Sequence, residues 1–355
     1  MSLLAIGSND VRIIGIWGMG GIGKTTLARV VYDELFYEFD GGCFIGNVRG
    51  ESEKWGLLPL QQKLIREILK DDSVNIRDDK DGVDRIKNML CHKKILLVLD
   101  DINQFNQLEK LVGDSKCFFQ GSRVIITTRD EHLLTWHKVH EIYEVQELND
   151  DEALHLFSLK AFNKYHPPED YLYLATSFVH YAKGLPLAIN VLGSFLYNRR
   201  KKECEGALNR LKEHPNKKIN EILEIGFDGL EGTEKEIFLH IACFFNMKGK
   251  DYIVKILDYL GLHPEIGLNV LIEKSLLKYD ENTYWMHDLL QQMGQDMVRR
   301  DCPLEPEKWS KLWLYKDIRS ALMKNMVRDF LENIPYHVIQ RSCNLNNSSK
   351  HISCN

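Results

Sequence analysis

The chain has 355 residues, enough for two or three domains, and its 44% hydrophobic and 27% charged residues are typical of a globular protein. The net charge of −5 gives no reason to expect a nucleic acid or an anionic membrane as a partner. The eight cysteines form no C-x-x-C pair, the first residues carry no basic leader, and the longest strongly apolar run, 237–245, is about half as long as a membrane helix. We therefore expect a cytoplasmic location, with the nucleus as a second one, and no membrane segment.

The first motif lies between a predicted strand and a predicted helix. Residues 11–17, VRIIGIW, are an apolar run typical of a buried strand. The apolar residues after Thr26 follow helical spacing. The stretch between them, GMGGIGKTT at 18–26, fits the pattern G-x-x-x-x-G-K-[ST] position for position. The sequence therefore predicts a phosphate-binding loop at a strand-to-helix turn.

The residue types of this loop suit an anion. Glycine lets the backbone wrap closely around a phosphate with its N–H groups pointing inward, and the helix N-terminus adds a partial positive charge. Lys24 can reach the β- and γ-phosphates of a nucleotide, and the hydroxyl of Thr25 can ligate Mg²⁺. The loop supplies these candidate nucleotide-binding residues: Gly18, Gly20, Gly21, Gly23, Lys24, Thr25 and Thr26.

Residues 1–148 alternate apolar runs with amphipathic stretches. After the first strand, the runs predicted to be strands are 43–48, 94–99, 123–128 and 142–145. Several of them are continuously apolar, as strands buried on both faces of a sheet are. The pattern predicts an α/β P-loop NTPase domain with a parallel sheet over 1–148.

From residue 149 the pattern becomes helical. Asn149 and Glu152 fit a capping box at the start of one helix. A second helix is expected to stop at Gly184, and Pro186 suits the first turn of a third. These signals predict a small helical domain over 149–212.

The next predicted unit, 213–320, combines helices with a hairpin. The segments on either side of Asp280–Asn282 predict two strands joined by a tight turn. After them, Asp288 is a natural N-cap for a helix whose last turn is basic, where cations suit the helix dipole. Helices with a hairpin predict a winged-helix domain, and the polar tail at 321–355 is expected to be disordered.

A phosphate site that uses Mg²⁺ also needs a carboxylate. The stretch LLVLDD at 96–101 places Asp100 and Asp101 at the end of a predicted buried strand, in the Walker-B pattern. Asp100 is the expected metal ligand, and Asp101 is the candidate catalytic residue that orients an attacking water. The next predicted strand ends at Arg129. Because strand ends in such a sheet face the ligand crevice, Arg129 is expected to contact a γ-phosphate.

The sequence also bears on whether the base of the nucleotide is guanine or adenine. Guanine-specific P-loop proteins carry an N-K-x-D motif. The nearest strings here, NKYH at 163–166 and NKKI at 216–219, do not fit it. Adenine is therefore favoured, and an adenine nucleotide with Mg²⁺ is the expected ligand.

Six motifs follow one another along the chain: GMGGIGKTT, LLVLDD, GSRVIITTR, GLPLA, FLHIACFF and MHDLLQQMG. The motifs and their order resemble those of the NB-ARC switch module of plant intracellular disease-resistance receptors, which are the nucleotide-binding, leucine-rich-repeat proteins. The segment 43–49, Asn103 after LDDI, and the FLHIACFF motif resemble the subclass that carries a TIR domain. The resemblance covers residues 3–325, most of the chain.

The resemblance implies a fold and a switch mechanism. The P-loop domain would be followed by an ARC1-like helical domain over 149–212 and an ARC2-like winged helix over 213–320, which close over ADP. Exchange of ADP for ATP would open the module into an oligomerising state in plant innate immunity. The implied partners are further copies of the chain or full-length receptors.

The resemblance also assigns roles to residues. Pro186 in GLPLA would contact the nucleotide from the helical domain. His287 in MHD would reach the β-phosphate of ADP and, with Asp288, hold the winged helix shut. Only the resemblance assigns this pair, since adjacent residues do not share a helix face. The resemblance also assigns phosphate or metal binding to five residues that the motifs had already indicated: Lys24, Thr25, Thr26, Asp100 and Arg129.

The chain departs from the whole receptors of that family. It has no TIR region, so NAD cleavage is not expected, and it has no leucine-rich repeats. It begins after the short upstream strand with which the family helps bind adenine. We expect a truncated receptor that is at most a slow ATPase.

Two other classes of protein remain open from the sequence. A metabolic P-loop ATPase needs a substrate site, and no further constellation of residues supplies one. A nucleotide-regulated transcription activator would use the winged helix to bind DNA. Residues 215–300 carry 10 basic and 14 acidic side chains, a net charge of −4, whereas phosphate binding favours a basic face. No nucleic-acid partner is therefore expected.

Overall fold

The structure is a computed structural model, and the residues it describes are 2–213, 216–300, 302–303 and 305–323. The tail that was predicted to be disordered, 321–355, falls outside these described residues from 324 onward. Across the described ranges, no helix has the length and apolar character that a membrane span requires.

The contacts divide the chain into two units. The first contains the residues up to Gly226 together with Glu273–Ser275. The second contains Phe227–Ile272 and the chain from Leu276. The finer division into domains at 148, 212 and 320 stays a prediction.

A five-stranded parallel sheet forms the centre of the first unit. Its strands are β1 Arg12–Trp17, β2 Gly41–Ile45, β3 Ile95–Ile102, β4 Arg123–Thr128 and β5 Glu141–Glu144. They lie in the order β2-β3-β4-β1-β5, with parallel pairing throughout this sheet. The carboxyl ends of β3, β4 and β1 are therefore neighbours, at the edge where parallel sheets place their ligands. The predicted parallel sheet is confirmed.

Helices follow the strands and continue beyond the sheet. Their bounds are α1 Lys24–Leu35, α2 Val48–Trp55, α3 Leu58–Leu69, α4 Asp79–Leu90, α5 Phe105–Leu111, α6 Glu131–Trp136, α7 Asp150–Phe162, α8 Leu172–Ala182, α9 Pro186–Leu196, α10 Lys201–Glu213 and α11 Lys217–Asp228. The expected capping box between Asn149 and Glu152 forms at the start of α7. Pro186 begins α9 as expected, two residues after Gly184, whose φ is 72°. The local signals therefore place these helix ends correctly.

Strands β1 to β4 are buried on both faces because successive side chains enter two different apolar cores, whereas the edge strand β5 is mostly exposed. Ile13 packs in one core and Ile14 in the other, and Leu97 and Leu96 divide in the same way. The first core includes apolar residues of α3 and α4, and the second includes residues of α1. Continuous apolar strands are what a sheet covered by helices on both faces requires.

One strand ends earlier than its sequence suggests. The predicted strand 43–48 stops at Ile45, and α2 begins at Val48. Asn47 causes the change, since it adopts a left-handed conformation with φ of 52° and its side chain caps α2 by accepting from the Gly50 N–H. Asparagine tolerates this conformation better than other non-glycine residues.

The second unit has the elements of a winged helix. The elements after α11 are α12 Gly232–His240, a π-helical turn Ile241–Phe245, β6 Lys248–Gly249, α13 Lys250–Tyr259, α14 Pro264–Glu273, β7 Lys278–Asp280, β8 Thr283–Trp285, α15 Asp288–Arg300 and α16 Tyr315–Met323. β7 and β8 form the predicted antiparallel hairpin. Its turn residues Glu281 and Asn282 both have positive φ, 45° and 65°, as a tight hairpin turn requires. The predicted winged-helix fold is confirmed.

Candidate functional site

The loop between β1 and α1 has the backbone of an anion cradle. Gly18, Gly21 and Gly23 have φ values of 144°, 81° and 104°, a region that side chains rarely enter. The helix begins directly afterwards at Lys24, so its first N–H groups face the loop. The glycines of the motif are therefore needed for the backbone path itself.

Lys24 is buried within this loop. Its ammonium group donates to the carbonyl oxygens of Gly18 at 2.6 Å and Met19 at 2.9 Å, and the residue is 7% exposed. Burial lowers the pKa of Lys24 to about 7, and the neighbouring charge of Arg129 adds to this effect. A phosphate beside Lys24 would supply the negative charge that favours its protonated form.

Thr25 and Asp100 meet as the Walker motifs predict. The Thr25 hydroxyl donates to Asp100 Oδ1 at 2.7 Å, and Thr127 on β4 donates to the same oxygen at 2.7 Å. The backbone N–H of Asn47 lies 3.5 Å from Asp100 Oδ2. Mg²⁺ prefers one or two such oxygen ligands together with water and phosphate oxygens, so this hydroxyl–carboxylate pair fits the ion.

Asp101 has different neighbours from Asp100. Its Oδ2 lies 2.8 Å from Arg49 Nη2, and its Oδ1 lies 3.6 Å from Arg129 Nε. Its backbone has a φ of 61°, and its N–H donates to Thr127 Oγ1 at 2.9 Å. The carboxylate proposed to orient a water thus lies between two guanidinium groups.

Arg129 crosses the phosphate loop. Its Nη1 donates to the carbonyl oxygen of Ile222 in α11 at 3.0 Å. A Cβ atom placed on Gly20 would lie only 2.6 Å from the same Nη1. Gly20 therefore leaves room for the close approach of the arginine, whereas Gly18, Gly21 and Gly23 are required for their φ values.

The start of α9 also packs on the phosphate loop. The Leu187 N–H donates to the Gly21 carbonyl at 3.1 Å, and a Cβ atom on Gly21 would lie 2.6 Å from Leu187 Cβ. Pro186 Cγ lies 4.0 Å from the corresponding Cβ position of Gly23. The GLPLA motif thus contacts the phosphate loop directly.

These residues surround one cavity of about 380 Å³. Its walls contain most of the residues that the sequence singled out, namely Gly21, Gly23, Lys24, Thr25, Thr26, Asp100, Asp101, Arg129 and Pro186. Gly18 and Gly20 belong to the same loop but are not among the lining residues. Sequence reasoning missed four other lining residues: Asn47, Thr127, Leu187 and Asn190. Thr127 and Leu187 lie inside motifs that were recognised, so only their roles were missed.

His287 and Asp288 belong to the second unit. The expectation that Asp288 is the N-cap is wrong, because α15 begins at Asp288 itself. His287 takes the cap position instead, with its ring Nδ1 accepting from the Leu289 N–H at 3.1 Å. An imidazole nitrogen can satisfy that N–H as a carboxylate would. Since Nδ1 is the acceptor, the proton of the 3% exposed ring lies on Nε2.

The glycine-rich loop, Lys24, and the pair formed by Thr25 at the start of α1 and Asp100 at the end of β3 define a P-loop nucleotide-binding protein. Residues 2–166 match the model of the NB-ARC domain, and residues 231–302 match the Disease resistance protein Roq1-like winged-helix domain. The chain therefore carries an NB-ARC domain and a winged-helix domain of the kind found in plant disease resistance proteins, as its motifs indicated.

Individual relatives agree with this assignment. Disease resistance protein RUN1 of Vitis rotundifolia is 43% identical over 96% of this chain, and TMV resistance protein N of Nicotiana glutinosa is 44% identical over 91%. The chain spans 26% and 28% of the length of these two relatives. A Walker-type ATPase of Pyrococcus abyssi is similar in fold, with a TM-score of 0.54 at 14% identity over 80% of this chain and 91% of its own.

Proposed function

We propose that the chain is an adenine-nucleotide switch of plant innate immunity, closed with ADP and open with ATP. The observation that carries this proposal is the single cavity in which Lys24, Thr25, Asp100 and Arg129 converge beside the GLPLA helix. Lys24 and the loop N–H groups would bind the phosphates, with Thr26 at the start of α1. The open form would associate with further copies of the chain or with full-length receptors.

The metal site of this proposal is the pair Thr25 and Asp100. Bound Mg²⁺ would neutralise the phosphate charge, which is the chemistry it supplies in such sites. Thr25 and Asp100, which are joined by a hydrogen bond in the structure, are the residues that would hold the ion. The hydrogen bond from Thr127 would continue to orient the carboxylate. The N–H of Asn47, 3.5 Å from the other oxygen, would support the same orientation.

The choice between ADP and ATP would involve residues in both units. We propose that Arg129 contacts the γ-phosphate and that Pro186 contacts the nucleotide from α9. His287, whose Nε2 carries the ring proton, would donate to the β-phosphate of ADP in the closed form. A ligand that contacts His287 only in that form would stabilise it.

We expect slow turnover at most. Sensing a γ-phosphate does not require fast hydrolysis, and Asp101 is the candidate that orients a water. Its position between Arg49 and Arg129 favours an electrostatic role as well. The net charge of −4 over 215–300 argues against a nucleic-acid partner.

Calorimetry with Lys24→Ala tests the site. A hydrogen bond from a charged group contributes about 1.5–3 kcal/mol, so the variant should bind ADP about tenfold to a hundredfold more weakly, or worse. Lys80→Ala is the matched control, because Lys80 is an exposed helical lysine outside the cavity wall. Equal ADP affinity in Lys24→Ala and Lys80→Ala would falsify the assignment of the cavity.

A further inference from the structure

Asp101, the second carboxylate of the Walker-B motif, forms ion pairs with two arginines at different distances. Arg49 at the start of α2 lies at hydrogen-bond distance, 2.8 Å, from Asp101. Arg129 lies at 3.6 Å from the other oxygen, beyond good hydrogen-bond geometry. All three side chains are largely buried, at 18%, 18% and 19% exposed. Water therefore screens their charges less than it screens surface ion pairs.

The backbone of Asp101 is held in place. Its left-handed backbone, with φ of 61°, is unusual for a residue other than glycine. Its N–H is held by Thr127 Oγ1 at 2.9 Å. The backbone of Asp101 is thus held by its own strand, and the two guanidinium groups compete for its one carboxylate.

Arg129 is the arginine with an alternative partner. It lines the cavity, and its Nη1 is engaged by a neutral acceptor, the Ile222 carbonyl. Arg49 is not among the cavity-lining residues. A γ-phosphate in the cavity would draw Arg129 away from Asp101 while Arg49 remains.

We propose that Arg49 is a positioning residue that sets the preference of the cavity for a nucleoside triphosphate over a diphosphate, by occupying Asp101 and so leaving Arg129 free to move. This inference rests on the proposed function of the cavity. Without Arg49, Asp101 would hold Arg129 with its whole charge. The γ-phosphate would then have to displace a stronger partner, whereas a diphosphate that does not reach Arg129 would be affected less.

The test measures ADP and a non-hydrolysable ATP analogue, adenosine 5′-(β,γ-imido)triphosphate, by calorimetry with Mg²⁺. Arg49→Gln should lower the ratio of triphosphate to diphosphate affinity by about two- to tenfold, the scale of a partly screened ion pair. Arg49→Lys keeps the charge and should restore much of the ratio. The matched control is Arg85→Gln, which breaks the ion pair with Asp81 at 2.9 Å in α4 and should leave the ratio unchanged.

A double variant separates this mechanism from direct contact. In an Asp101→Asn background there is no carboxylate charge to share, so Arg49→Gln should no longer change the ratio. The inference is overturned if Arg49→Gln leaves the ratio unchanged in the wild-type background. It is also overturned if the ratio falls equally in the Asp101→Asn background, because Arg49 would then act on the phosphate directly. If instead the proposed function of the cavity were wrong, the result would differ, because ADP binding would not depend on Lys24.

Discussion

The two units hold their candidate functional residues in different ways. In the first unit, Lys24, Asp100 and Arg129 line one cavity, and Asp100 accepts hydrogen bonds from side chains on two different elements. In the second unit, His287 is 3% exposed and its ring binds the backbone of its own helix. The first arrangement is a site whose chemistry follows from its residue types. The second is a structural position whose function depends on a proposed ligand contact.

The largest effect is expected in the first unit, from Gly21→Ala. Gly21 has φ of 81°, and a Cβ atom there would lie 2.6 Å from Leu187 Cβ. Backbone strain and overpacking together should destabilise the first unit by about 2–5 kcal/mol and weaken ADP binding with it. Denaturant unfolding and calorimetry measure the two effects.

The matched control for this change is Gly206→Ala. Gly206 lies in α10 with nothing within 4 Å of its Cβ position. Alanine in a helix should stabilise it by about 0.5–1 kcal/mol. If Gly21→Ala behaved like Gly206→Ala, the contact between the loop and α9 would have no energetic role.

In the second unit, a comparable change is Asn246→Ala. Asn246 accepts from the Met286 N–H at 2.8 Å and donates to the Met286 carbonyl at 3.1 Å and to Gln291 Oε1 at 2.9 Å. It therefore fixes the residue before His287. Leaving these partly buried groups unpaired should cost about 1–3 kcal/mol of unfolding free energy.

Asn246→Asp keeps the acceptor for the Met286 N–H, but its second oxygen would face two other acceptors, the Met286 carbonyl and Gln291 Oε1. Its loss of unfolding free energy should therefore be at least as large as that of Asn246→Ala. Circular dichroism during denaturant unfolding measures both variants. If His287 contacts ADP as proposed, the folded Asn246→Ala protein should also release ADP faster. An unchanged unfolding free energy would remove Asn246 from this account.

The difference between the units also explains what the sequence could predict. The phosphate loop and the Walker-B strand depend on local patterns, glycine spacing and apolar runs, so both were found. Arg49 and Asn47 were missed as site residues because only the packing of α2 against the strand ends brings them there. The end of β2 was placed too late because the sequence does not reveal the left-handed conformation of Asn47.

In the second unit, local reasoning found the helix but misplaced its cap. Asp288 and His287 are adjacent, and carboxylates are far more common caps than imidazoles. Only the geometry, with the Leu289 N–H on His287 Nδ1, decides between them. The elements of the winged helix were predictable, whereas the partner of a single ring nitrogen was not.

A pH dependence is expected from the first unit. The pKa of Lys24 is about 7 because the side chain is buried, with Arg129 as a second cause. Bound phosphate favours the charged form, so the pKa rises on binding and a proton is taken up above pH 7. ADP affinity should therefore fall as the pH rises above 7, by up to about tenfold per pH unit.

Calorimetry between pH 6.5 and 8.5, in two buffers of different ionisation enthalpy, measures both the affinity and the proton uptake. Lys24→Arg stays charged throughout this range and should remove the slope. A slope that persists in Lys24→Arg would assign the titration to another group.

The smallest effect is expected from Asp288, and it decides what the second unit contributes. Since His287 is the cap, Asp288 is the acidic residue in the first turn of α15. A carboxylate there stabilises a helix by about 0.3–1 kcal/mol through the helix dipole. If this is its whole role, Asp288→Val should lower the melting temperature slightly, as should Asp151→Val at the exposed first turn of α7.

If Asp288 also fixes the turn that aims His287 at ADP, the two variants should differ. Asp288→Val should then release ADP faster and show a larger scattering radius, because the closed form would lose its differential affinity for ADP. Asp151→Val lies at a comparable helix position in the other unit and should release ADP at the wild-type rate. Equal rates of ADP release from the two folded variants would show that Asp288 only stabilises its helix. The proposed switch would then depend on His287 and not on Asp288.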